Sequence, residues 1–153
     1  MSLIVATGSN LGDSLRILAD ARDALAAAYG LVAESRVYTS RAVDYDRQPD
    51  FFNQVLQLRL PPRAPEEVML ELLELERRFG RARDIPRGPR TLDLDIIFWG
   101  TKTVSTPALT VPHPRWAERS FVVRPLAELP FFKTIEKCFT IPKTFDVDAF
   151  PDR

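Results

Sequence analysis

The chain has 153 residues, 45% hydrophobic and 27% charged, a globular balance with enough length for a sizeable core. Its 21 basic and 21 acidic side chains cancel, which argues against a general nucleic-acid coat or a membrane-surface protein. The single cysteine, Cys138, leaves no internal disulfide and no cysteine-rich zinc site, and reads as a small buried or half-buried apolar residue.

Leu3 to Ala6 is short and apolar and reads as the first strand. Thr7-Gly8-Ser9-Asn10-Leu11-Gly12-Asp13 follows as a tight strand-to-helix turn with Asp13 as N-cap, since it lacks the lysine and spacing of a Walker-type loop. Ser14 to Tyr29 reads as a helix, with Leu15, Leu18, Arg22 and Leu25 marking one face and Gly30 stopping it. Leu31 to Tyr38 is expected as a second strand. Thr39 to Asp50 is a polar loop, and loops of this length are often functional. Phe51 to Leu60 is the third strand. Phe51 and Asn53 lie two residues apart and face the same side. A ring and an amide on one face suit a flat, hydrogen-bonding heterocycle; equally, Phe51 could be core and Asn53 paired with backbone.

Pro65 suits the first turn of a second helix, followed by Glu66 and Glu67 near its positive end. That helix runs to about Phe79, buries Val68, Leu72, Leu75 and Phe79, and leaves Glu71, Glu74 and Glu76 solvated. Arg81 to Arg90 is a basic loop and Thr91 to Trp99 the fourth strand. By alternation, Leu92, Leu94, Ile96 and Phe98 face the core, and Thr91, Asp93 and Asp95 face the other way. The two aspartates sit about 6.5–7 Å apart at Cα. An acidic pair beside Arg87 and Arg90 suits a magnesium–polyphosphate ligand; without the arginines it would read as a solvated acidic face. The order β-α-β-β-α-β is the ferredoxin-like split β-α-β pattern. It is an α+β fold with an antiparallel sheet, both helices on one face and the other face open for a site.

Gly100-Thr101-Lys102 reads as a turn and Thr103 to Ser105 as a short returning strand. The only histidine, His113, stands between Pro112 and Pro114; alone, it would read as structural. Pro114 to Arg119 reads as a short helical turn, and Phe121 to Leu129 as apolar and helical, with Pro125 inside it. The tail from Phe131 mixes apolar and basic residues. Its Asp146-Val147-Asp148 has no flanking basic loop and reads as incidental.

Four segments, in this order, resemble the 6-hydroxymethyl-7,8-dihydropterin pyrophosphokinase family of folate biosynthesis. They are Ala6-Thr7-Gly8-Ser9-Asn10-Leu11-Gly12, Gln48-Pro49-Asp50-Phe51-Phe52-Asn53, Gly88-Pro89-Arg90-Thr91-Leu92-Asp93-Leu94-Asp95-Ile96, and Leu109-Thr110-Val111-Pro112-His113-Pro114 with Glu118-Arg119-Ser120-Phe121-Val122. The resemblance covers about residues 1–130 of one expected domain spanning 1–153, with 131–153 as a variable tail. It implies transfer of pyrophosphate from ATP to the pterin hydroxymethyl group, leaving AMP. It further implies two magnesium ions held by Asp93 and Asp95. Arg81, Arg83 and Arg90 are then catalytic, and Glu76, Thr110, His113 and Arg119 lie near the nucleotide. Phe51 and Phe121 sandwich the pterin, with Asn53 and Ser40 beside it. Arg87 stands where the family often has tryptophan. The expected partners are ATP and a reduced pterin, with no nucleic acid and no membrane, and a monomer is expected; a cytoplasmic location is expected since no apolar run reaches ~20 residues and no signal core is seen. The alternatives are a non-catalytic ferredoxin-like nucleotide- or RNA-binding module, against which the neutral charge and acidic pair argue, and a degenerate homologue.

Overall fold

The structure is a computed structural model that describes residues 1–41, 49–80 and 91–152. Its strands are β1 (Ser2–Ser9), β2 (Leu31–Glu34), β3 (Tyr38–Ser40), β4 (Phe51–Arg59), β5 (Asp93–Trp99), β6 (Val104–Ser105), β7 (Thr110–Val111) and β8 (Ala149–Pro151). The helices are α1 (Ser14–Tyr29), α2 (Pro65–Arg78), α3 (Ser120–Leu126) and α4 (Phe132–Cys138), with a 3₁₀ turn at Trp116–Glu118. The main sheet is antiparallel and runs β5-β1-β4-β3-β8, with β2 also paired to β4. This is the α+β split β-α-β arrangement expected, with β8 added at one edge. No helix among the described residues is long and apolar enough to cross a membrane.

Strands β1 and β4 alternate as their sequences require. Leu3, Val5, Leu56 and Leu58 pack under α1 and α2, whereas Ile4 and Val55 point to the opposite face. Helix α1 ends as expected: the Asp13 side chain accepts from the Arg16 N–H, and Gly30, at φ 84°, sends its N–H to the Ala26 carbonyl. Its buried stripe differs, however. Ser14, Leu18, Ala21, Leu25 and Tyr29 face inward, and Leu15 is 48% exposed. The helix is turned so that small Ala21, not Leu15, meets the sheet. Arg22 reaches Glu34 and Asp23 at the surface.

Three further expectations change. The segment from Leu31 to Tyr38 is two strands, because the register shifts between Leu31 and Ala33 and residues 35–37 leave the ladder. Ser35 stands in for that ladder: its Oγ accepts from Val55 N–H, and its carbonyl accepts from the Gln54 side chain. The simple alternation of the fourth strand also breaks. A bulge between Ile4 and Val5 pairs them with Phe98 and Ile96, so Ile97 is the extra residue. Phe98 therefore packs on the opposite face with Ile97, and Trp99 returns to the α1/α2 side. Finally, the second sheet face is not open. Trp116, Val122, Val123, Leu126, Leu129 and Ile135 bury Ile4, Val55 and Phe98 there. The tail is tied down as well, since Gln57, on that face, accepts from Phe131 N–H. Cys138 ends the last short helix and is exposed, not buried.

Candidate active site

Where α3 and the tail leave part of the second face uncovered, the structure opens a cavity of about 260 Å³. Its floor is Ala6, Thr7 and Gly8. The strand β1 runs on to Ser9, so Thr7, Gly8 and Ser9 are sheet and not turn, a correction to the sequence reading. Gly8 matters for space: a Cβ there would sit 3.0 Å from Asn53 Oδ1. Asn53 and Phe51 do share a side, as expected, and both line this cavity with Ser40 and Phe121. Asn53 is buried, and its Nδ2 donates to Ser40 Oγ at 3.0 Å, which fixes the amide plane. Phe121 lies in the first turn of α3, and Ser120, which opens that helix, is anchored by donating to the Val147 carbonyl at 2.6 Å.

A second cavity of about 370 Å³ lies on the α2 side of β5. Glu76, Thr110 and His113 line it, with Leu72, Leu109 and Pro107 as its apolar part. Among the described residues only Asp93 and Asp95 line both cavities. They are half-buried, and their strand positions are set opposite Gly8 and Ala6 of β1.

Glu76 is the largest correction within the site. It was expected in solvent among helix charges, yet it is 2% exposed, and its Oε2 accepts from Leu94 N–H at 2.7 Å. The cause is the sheet edge. Among the described residues strand β5 has a neighbour strand on one side only, so alternate N–H groups point away from β1 and need another acceptor. A helical carboxylate supplies it, at the residue between the two aspartates.

His113 is held by its own backbone, which donates to the Ile97 carbonyl at 3.0 Å. The Arg115 N–H donates to its Nδ1 at 3.1 Å, so the neutral ring carries its proton on Nε2. Burial lowers its pKa to about 4, helped by the Arg119 and Arg115 charges and opposed by Asp93. The ring is thus a neutral donor on the wall of the larger cavity. The Val111–Pro112 peptide before it is cis.

Arg119 was expected on the nucleotide side. It lines the smaller cavity, with its guanidinium 5.5 Å from the centre of the Phe121 ring. Arg81, Arg83, Arg87 and Arg90 lie outside the described residues. Sequence reasoning missed Arg115, Glu118, Asp146 and Val147, which also line the smaller cavity. The tail pair carried no signal, because only folding brings residue 147 beside residue 120.

Among the described residues no group of three or more His, Cys, Asp or Glu side chains could hold a metal by itself. Two carboxylates at a cavity junction instead fit a hard, oxygen-seeking cation that completes its shell with water and ligand phosphate oxygens. They do not fit a closed protein-only site.

Comparison with known proteins identifies the family. The sequence profile of 7,8-dihydro-6-hydroxymethylpterin-pyrophosphokinase (HPPK) matches residues 4–130. A 2-amino-4-hydroxy-6-hydroxymethyldihydropteridine pyrophosphokinase of Synechocystis sp. is 42% identical over 128 residues, which cover 82% of this chain and 65% of that protein. The Bacillus subtilis protein of the same name is 37% identical over 127 residues, covering 82% of this chain and 75% of that one. The folic acid synthesis protein fol1 of Pneumocystis carinii is 35% identical over 129 residues, or 84% of this chain, which spans only 17% of fol1. The matched region takes in both cavities' aspartates, the ring pair and His113, and the chain belongs to the 7,8-dihydro-6-hydroxymethylpterin-pyrophosphokinase family.

Proposed function

We propose that this chain transfers the terminal diphosphate of ATP to the hydroxymethyl group of 6-hydroxymethyl-7,8-dihydropterin and releases AMP. One observation carries the reading. Among the described residues, two cavities with otherwise separate walls share only Asp93 and Asp95. One has the aromatic and amide lining of a heterocycle site, and the other holds a neutral imidazole N–H donor.

In this reading the pterin ring lies between Phe51 and Phe121, with Asn53 and Ser40 at its polar edge. The Ser40 bond leaves the Asn53 amide no freedom to turn, so its remaining hydrogen-bonding capacity is oriented before the ring arrives. The nucleotide occupies the larger cavity with Thr110 and His113. A neutral His113 donates from Nε2 to a phosphate oxygen at pH 7. Its polyphosphate end then reaches the two aspartates. Two magnesium ions held by Asp93 and Asp95 would neutralise the transferred group and polarise its phosphorus. The pterin hydroxyl oxygen bonds to the β-phosphorus, the bond from that phosphorus to the α-phosphate bridging oxygen breaks to release AMP, and the hydroxyl proton passes to solvent. The protein's main contribution is alignment of the two ligands across the aspartate pair. Glu76 serves as a positioning residue, since it fixes the backbone between those aspartates. The chain acts as a monomer in the cytoplasm and needs no nucleic acid. Arg81, Arg83 and Arg90 add phosphate contacts.

The test is product identity. With ATP, magnesium and 6-hydroxymethyl-7,8-dihydropterin, the chain should release AMP and a diphosphorylated pterin only when the pterin is present. ADP as product would place attack at the γ-phosphorus and overturn the reading.

A further inference from the structure

The family match ends at residue 130, yet the following segment is built into the wall of the smaller cavity. Asp146 and Val147 line it. Several contacts pin this stretch to α3 and the sheet. Ser120 Oγ donates to the Val147 carbonyl. Arg124 donates twice to Asp148, from Nε at 3.2 Å and Nη2 at 3.1 Å, and also reaches the Lys143 carbonyl. Strand β8 then pairs with β3, setting Ala149 opposite Ser40. The Arg124 guanidinium stands 5.1 Å from the Phe145 ring centre, closing the other side of the clamp. Asp148 also caps its own turn, accepting from Ala149 N–H at 2.9 Å.

These contacts touch residues at both ends of the cavity. Ser120 adjoins Phe121, and Ser40 bonds Asn53. The tail therefore couples the ring on α3 to the amide on β4. We propose that residues 143–149 form a strap that sets the spacing of this cavity, and that Asp148 is a positioning residue for the ring-bearing substrate. Asp148 acts through Arg124 and Val147 without touching that substrate. The inference rests on the pterin occupying this cavity, as argued above. Such a role predicts a selective effect. Loosening the strap should weaken the ring substrate and leave the nucleotide, bound on the far side of the aspartates, unaffected. A stretch that only supported the fold would weaken both.

The experiment compares wild type, Asp148→Ala and Asp148→Asn by calorimetry and steady-state kinetics. Binding of 6-hydroxymethyl-7,8-dihydropterin is measured at saturating magnesium and α,β-methylene-ATP, and binding of the analogue is measured alone. In Asp148→Ala the pterin Kd and KM should rise about three- to tenfold, the size expected when one or two side chains must be ordered on binding. The analogue's Kd, kcat at saturating pterin and the melting temperature should stay near wild type. Asp148→Asn keeps the acceptor for Ala149 N–H and loses the full charge pair, so its KM should fall between the other two. Unchanged pterin binding in Asp148→Ala overturns the strap. So does a parallel loss of both ligands together with the melting temperature. Wild type that fails to bind the pterin at all overturns the functional reading and the strap with it.

Discussion

Removing the Glu76 carboxylate is the sharpest test of how the aspartate strand is held. Its Oε2 takes the Leu94 N–H at 2.7 Å, and both residues are buried. A hydrogen bond to a charged group contributes about 1.5–3 kcal/mol net, and a buried N–H left without an acceptor costs a similar amount. Glu76→Ala should therefore destabilise the chain by roughly 2–3 kcal/mol. At this chain length that lowers the melting temperature by roughly 5–10 °C. The aspartates flank Leu94, so kcat should fall more than about tenfold, because a misplacement near 1 Å is enough for that loss. Glu76→Gln keeps an oxygen acceptor and should retain most of the stability. Urea unfolding and AMP release measure the two effects. If Glu76→Ala melts within a degree or two of wild type, the Leu94 N–H does not depend on Glu76 and the reasoning fails.

Asp93→Ala or Asp95→Ala should leave the fold intact by circular dichroism and lower turnover by orders of magnitude; full activity in either variant refutes the metal role. Phe121→Ala should weaken the pterin by about 1 kcal/mol or more of stacking, read as at least a fivefold rise in Kd by calorimetry. An unchanged Kd counts against the ring pair. His113 should remain neutral at pH 7 and titrate near 4 by NMR, because burial and the neighbouring arginines disfavour its charge. The folded state then binds fewer protons than the unfolded one between about 6.5 and about 4. Its contribution to stability is present above that window and is lost as pH falls through it. A measured His113 pKa at or above 6.5 contradicts the assigned environment.

Local chemistry in the sequence was enough for α1 and α2, their caps and the β-α-β-β-α-β alternation, because Gly30, Pro65 and the apolar spacing act over a few residues. It was also enough to place Asp93 with Asp95, and Phe51 with Asn53, since alternation along one strand decides both. What escaped depends on distant partners. The bulge at Ile97 follows from pairing with β1, and no residue in the fourth strand announces it. Glu76 looked like any helix carboxylate until the edge of the sheet required an acceptor. Asp146-Val147-Asp148 looked incidental because the partners of this stretch, Ser120 and Arg124, lie far from it in the chain.

The central claim is that Asp93 and Asp95 hold metal between a nucleotide and a pterin. The most direct measurement replaces magnesium with manganese in the complex with α,β-methylene-ATP and 6-hydroxymethyl-7,8-dihydropterin. Paramagnetic relaxation is then read at the phosphate phosphorus nuclei and the pterin hydroxymethyl protons. Strong relaxation of both ligands in wild type, lost in Asp95→Ala, is the predicted result. Relaxation of the phosphates alone, with the pterin bound and unaffected, would place the pterin away from the metal and contradict the account.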